Sequence, residues 1–154
     1  MAEKINKKIL WKLKKFDELT LDEFHDILKL RIDIFVVEQN CPYPELDNKD
    51  KSAFHFFGID TNNKIIAYTR IFKPGDYYKE AALGRVIVSQ DYRNQKLGYK
   101  LIEKTIKEMQ QLFGNTSIKI GAQTYLKKFY ESFGFQQIND EYIEDGIPHI
   151  YMIK

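Results

Sequence analysis

The run from Ala81 to Phe113 restricts the fold more than any other stretch. A β-branched segment, Ala81–Ser89, meets a polar turn carrying Arg93, Lys96 and Gly98, and an amphipathic helix begins at once. That helix, from Arg93 or Asn94 to Phe113, aligns Leu101, Ile102, Ile106, Met109, Leu112 and Phe113 and closes at Gly114-Asn115. A strand that feeds a helix needs a crossover and a parallel partner, here the short apolar run Ser117–Ala122. The helix start also gathers unpaired N–H groups, a partial positive charge and two full ones, where a phosphate can sit.

The remaining elements follow from periodicity. Ile9–Lys14 alternates as a strand. Thr20 and Glu23 form a capping box, with Leu19 placed to staple onto Phe24. The helix beyond them carries Phe24, Ile27, Leu28, Ile34 and Phe35 on one face, with Arg31 among them. Pro42 and Pro44 end it, and Cys41–Lys51 reads as an irregular loop. Ala53–Asp60 and Lys64–Phe72 form a hairpin through Thr61-Asn62-Asn63-Lys64. Tyr125–Phe133 is a helix ended by Gly134, and Phe135–Ile138 and Ile147–Ile153 are the last strands. The order β α β β β α β α β β gives an α/β chain with a mixed central sheet and flanking helices.

At 154 residues the chain suits a single domain spanning 1–154, with about the first eight residues fraying. Its charges nearly cancel, at a net +2, which argues against a dedicated nucleic-acid binder; the N-terminal lysines read as a solvated face. One cysteine, Cys41, allows no intramolecular disulfide, and nothing near it in sequence marks an acyl carrier. The start lacks a signal-peptide h-region, and no apolar run nears the roughly 20 residues of a membrane span. A cytoplasmic protein with no membrane partner is expected. His25 and His55 show no metal-ligand spacing, so no catalytic metal is expected.

The turn is neither a P-loop nor a dinucleotide fingerprint, since Gly-x-x-x-x-Gly-Lys-[Ser/Thr] and Gly-x-Gly-x-x-Gly are both missing. Arg93-Asn94-Gln95-Lys96-Leu97-Gly98 resembles the acetyl-CoA signature of the GNAT acetyltransferase superfamily. Phe129-Tyr130-Glu131-Ser132-Phe133-Gly134-Phe135 resembles its second motif. The phrases from Phe35 to Tyr43, Leu46-Asp47, and Glu144 to His149 are similar to the ElaA-like branch of small bacterial acetyltransferases. Together they cover the chain from about Trp11 to Met152.

The resemblance implies the acyl-CoA N-acyltransferase fold and an N-acetyltransferase. Its cosubstrate would be acetyl-CoA, and the acetyl group would pass directly to a primary amine in a ternary complex. Val86, Ile87 and Val88 would hold the pantetheine arm. Arg93, Asn94, Gln95, Lys96, Leu97 and Gly98 would cradle the pyrophosphate, with Tyr99 and Lys100 at the helix start. Tyr130 would be the general acid. Read without the resemblance, Tyr130 belongs to an apolar stripe with Leu126, Phe129 and Phe133 and needs only one hydroxyl partner. Lys96 departs from the family pattern, which has glycine there; a lysine forced to positive φ costs roughly 1 kcal/mol.

The base is expected among Glu38, Asp47 and His149, histidine being the residue type best suited to proton exchange near neutrality. Arg31, Arg70 and Gln123 are candidates for the acceptor groove, where either arginine could hold a carboxylate; a structural ion pair is the alternative for each arginine. The acidic loop Asn40–Lys51 would instead suit a cationic amine. A CoA-binding sensor without turnover is the alternative reading. Tyr142 and Tyr151 leave room for a homodimer through the last strands.

Overall fold

The computed structural model describes residues 8–154, so all but the last of the roughly eight residues expected to fray lie outside the described residues. Eight strands form one sheet: β1 (Leu10–Lys15), β2 (Phe54–Ile59), β3 (Ile65–Phe72), β4 (Ala81–Val88), β5 (Ile118–Gln123), β6 (Gln136–Gln137), β7 (Tyr142–Glu144) and β8 (Ile147–Ile153). Their order is β1-β2-β3-β4-β5-β8-β6, with β7 also paired to β8. Only β4 and β5 run parallel, as the crossover through a helix requires.

β2 and β3 are apolar on both faces, so both faces must be covered. Phe56 and Ile66 pack in one core with Leu101 and Ile102 of α2 (Leu97–Phe113) and Tyr130 of α3 (Lys127–Glu131). Phe57, Ile65 and Tyr68 pack in a second core with Ile27 of α1 (Leu21–Ile32). The capping box of α1 forms: Glu23 N–H donates to Thr20 Oγ1 at 3.0 Å, and Thr20 N–H to Glu23 Oε1 at 2.9 Å. Phe24 meets the ring of Phe16 edge-on, and Leu19 packs against the second core.

Three elements differ from expectation. α1 gives way after Ile32 to a π-helical stretch, Asp33–Glu38, which swings Glu38 and Gln39 onto a cleft wall. α2 starts at Leu97, because Asn94 and Lys96 take φ of 64° and 59°, outside the right-handed helical region. The expected order lacks β7, a three-residue strand too short for alternation to reveal. Asp145-Gly146, both at positive φ, turn it into β8. Asp-Gly at such a turn is a strong hairpin signal, and it was present in the sequence.

The sheet is open at its centre. β4 and β5 pair only at Ala81↔Ile118 and Ala82↔Lys119, and then separate. The same half of β4 is bulged: its register on β3 shifts between Tyr68 and Arg70, and Arg85 takes φ of 50°. An extra residue on one strand bends it and increases its twist.

Candidate active site

The gap between β4 and β5 opens into a cleft of about 1350 Å³. That exceeds the roughly 300–1000 Å³ of an ordinary small-molecule pocket and suits a long ligand. Val86, Ile87 and Val88 form its β4 wall, as expected of residues beside a strand that has lost its neighbour.

At the start of α2, Lys96 is the N-cap but its side chain caps nothing. The first helical bond runs from Lys100 N–H to Lys96 O at 3.2 Å. The N–H groups of Leu97, Gly98 and Tyr99 therefore have no partner within the helix, and these residues line the cleft with Arg93, Asn94 and Lys96. Gly98 needs no positive φ, and a Cβ there would meet Val88 Cγ2 at 3.8 Å and Phe129 Cζ at 4.0 Å. Backbone and neighbours thus tolerate a methyl group; its absence keeps open a strip of cleft wall beside free N–H donors. These features fit a diphosphate. Gln95 and Lys100, expected in the cradle, lie off the cleft: Gln95 buries its Oε1, and Lys100 faces solvent one helical turn on.

Arg93 lies on the cleft, but its guanidinium is engaged. It binds both carboxylate oxygens of Glu38, and its Nε donates to Val88 O at 3.4 Å. The Arg93 hydrogen bond is the main reason that Glu38 is held below the usual carboxylate range, which makes Glu38 a weak base near neutrality. Asp47, also expected as a base, does not reach the cleft. Burial works against its charge, but the hydrogen bonds and charge of Arg70, with Lys49 N–H and the charge of Arg85, together outweigh burial and bring it down to about 2.

Arg31 and Arg70 do not reach the acceptor groove and take the ion-pair alternative. Neither lines the cleft, and they are 0% and 2% exposed. Arg31 bonds Glu45 at 2.6 Å and Asp50 at 2.8 Å; Arg70 bonds Asp47 at 2.8 Å and Asp50 at 3.0 Å. Buried guanidinium groups need such partners, and these arginines fasten the loop Cys41–Lys49 to the sheet instead of holding a substrate. Arg85 joins them. It bonds both oxygens of Glu45, at 2.9 and 3.1 Å, and it lines the cleft. An arginine inside the apolar strand Ala81–Val88 was the available signal for it.

Tyr130, on α3, is 5% exposed and lines the cleft. Burial pushes its phenol up, with Tyr125 adding to the rise, and no hydrogen bond contributes. Its proton is therefore firmly held near neutrality. His149, on β8, sits beside Gln123 of β5 in the ladder, and both line the cleft. His149 Nδ1 lies 2.7 Å from Ile147 O. A carbonyl only accepts, so Nδ1 carries a hydrogen, and in the neutral ring Nε2 has the lone pair. Nε2 in turn faces Glu144 Oε2 at 3.4 Å. Glu144 and Asp145 also line the cleft; sequence reasoning passed over them because their hairpin was not recognised.

Among the described residues no helix is long and apolar enough to cross a membrane. The chain matches the family described as acetyltransferase (GNAT) domain over residues 33–154. Protein ElaA of Escherichia coli (strain K12) is 39% identical over 148 residues, covering 95% of this chain and 96% of that protein. The crystal structure of Escherichia coli ElaA superposes with a TM-score of 0.89 at 38% identity, over 96% of this chain and 99% of that one. An acyl-CoA N-acyltransferase from Pseudomonas aeruginosa superposes with a TM-score of 0.92 at 34% identity, over 96% and 99%. With its parted β4–β5 pair, its turn at Arg93–Gly98 and these relatives, the chain belongs to the GNAT acetyltransferase family, in its ElaA-like branch.

Proposed function

We propose that the protein is an acetyl-CoA-dependent N-acetyltransferase that acts on a primary amine by direct transfer in a ternary complex. One observation carries the reading. The free N–H groups of α2, the unpaired edge of β4 and a buried phenol without a hydrogen bond all border one cleft.

Acetyl-CoA, when bound, supplies an electrophilic thioester carbonyl and a thiolate leaving group. The backbone of Val86–Val88 lies along the arm that carries the thioester. The N–H groups of Leu97, Gly98 and Tyr99 meet phosphate oxygens, and Lys96 adds charge beside them. His149 Nε2 accepts a proton from the acceptor amine. Tyr130 gives its proton to the departing sulfur, and a second nitrogen proton restores the phenol. Phenol to thiolate is uphill by about 2 kcal/mol for unperturbed groups, and burial of Tyr130 makes it steeper, so this transfer is coupled to C–S cleavage.

The test is acetyl-CoA titration together with CoA release over a panel of amines. Tyr130→Phe is expected to keep acetyl-CoA affinity and lose about 100-fold in kcat. Acetyl-CoA binding with no turnover on any amine would favour a CoA-binding sensor.

A further inference from the structure

The chain has four arginines, and each is paired with a carboxylate: Arg31, Arg70 and Arg85 with the loop acids, Arg93 with Glu38. Among the described residues the only arginines and lysine on the cleft are Arg85, Arg93 and Lys96, and Lys96 belongs to the α2 turn. No free guanidinium remains to receive a carboxylate in the acceptor region.

The wall made by β8 and the β7–β8 turn has the opposite character. It presents Glu144, Asp145 and His149. Among the described residues neither carboxylate has a lysine or arginine partner. His149 is 8% exposed, and its Nδ1–H is committed to Ile147 O. In the neutral ring its Nε2 and Glu144 Oε2 are two acceptors facing each other at 3.4 Å. Cys41 Sγ donates to Asp145 O at 3.4 Å, tying this turn to the chain that leaves the π-helical stretch. The loop acids Glu45, Asp47 and Asp50, which sequence alone had offered to an amine, are neutralised by arginines.

We propose that the acetyl acceptor is an alkylammonium ion with no carboxylate beside its amino group, held by Glu144 and Asp145 against His149. The inference rests on the acetyltransferase reading above. An ammonium supplies the N–H donors that the His149–Glu144 gap lacks, and its charge offsets the two carboxylates. A neighbouring carboxylate would meet Glu144 and Asp145 with no cation to shield it.

The test uses matched pairs that differ only by a carboxylate: phenethylamine with phenylalanine, and 3-methylbutylamine with leucine. In each pair the amine is expected to exceed the amino acid at least about tenfold in kcat/KM. Glu144→Gln is expected to shrink that ratio to about twofold or less, with the KM for acetyl-CoA unchanged. Calorimetric titration of the CoA-saturated protein with the same four compounds reads the preference without turnover. Amino acids equal to or better than the amines would overturn the inference. So would an unchanged ratio in Glu144→Gln, or CoA binding with none of the four compounds binding or reacting. Failure to bind acetyl-CoA at all would instead sink the acetyltransferase reading itself.

Discussion

Arg93 and Glu38 form a paired clasp on the cleft wall, with Arg93 Nη2 donating to Glu38 Oε2 at 2.8 Å alongside a second, parallel bond. The clasp joins the cofactor-side turn to the end of the π-helical stretch. It also means that Arg93 has a competing partner before any phosphate arrives. Glu38→Gln is expected to tighten acetyl-CoA about three- to tenfold at low salt, and Arg93→Ala to weaken it about tenfold. Calorimetric titration of both variants checks this; weaker binding in Glu38→Gln would show that Arg93 needs Glu38 to stay in place.

Lys96 sits at φ 59°, the left-handed region. A side chain there costs roughly 1 kcal/mol, which glycine avoids. Lys96→Gly is expected to raise Tm by about 2–4 °C. Its acetyl-CoA affinity is expected to fall, because the ammonium beside the phosphates is lost. Thermal unfolding and CoA titration of one variant separate the backbone effect from the charge effect.

Arg31 is fully buried between Glu45 and Asp50. Arg31→Met would leave two acids buried with one cation fewer. A loss of about 3–5 kcal/mol in urea unfolding is expected, with faster proteolysis within Cys41–Lys49. A variant as stable as the parent would show that the network contributes little beyond apolar packing.

Acid should unfold the protein in two stages. Burial holds His55 below its ordinary value, and its ring is bonded to Tyr68 at 2.6 Å and Asp50 O at 2.9 Å. The unfolded chain takes up a proton there below about pH 6.5, so this contribution is complete above that pH and declines beneath it. In Asp47 burial opposes the charge but Arg70, Lys49 N–H and Arg85 together outweigh it, and in Glu23 Lys14, Thr20 N–H and Lys12 together do the same; both reach about 2. Their contribution is complete above the unfolded value of about 4 and is lost as pH falls toward 2. Urea midpoints at pH 8, 5.5 and 3 should fall at each step, and His55→Gln should flatten only the first. A parent profile that is level from pH 8 to 5.5 would count against the role of His55.

Local chemistry made much of this molecule legible. The Thr20–Glu23 capping box, the hairpin of β2 and β3, and the strand–turn–helix of β4 and α2 are each encoded within a few residues. What escaped depended on partners distant in sequence. Arg31 meets Glu45 and Asp50, 14 and 19 residues away, and no helical pattern reveals whether such an arginine faces substrate or acid. The Arg93–Glu38 clasp spans 55 residues. The π-helical stretch carries no distinctive sequence, since its apolar spacing continues that of α1. Glu144 was the avoidable omission, because Asp145-Gly146 announced the hairpin that brings it to His149.

Among the described residues, the two residue pairs that join β4 to β5 are the whole strand-to-strand seam between β1–β4 and the strands from β5 onward. Mechanically the sheet is two plates hinged at Ala81 and Ala82. Each plate is stiffened by its own antiparallel ladders, and beyond the hinge both plates pack on the core they share with α2 and α3. Amides of β4 beyond Ala82 have no β5 partner to slow their exchange with solvent. A ligand lying along that edge would act as the missing rung, so hydrogen exchange confined to Leu83–Val88 becomes a direct gauge of how tightly the V is filled.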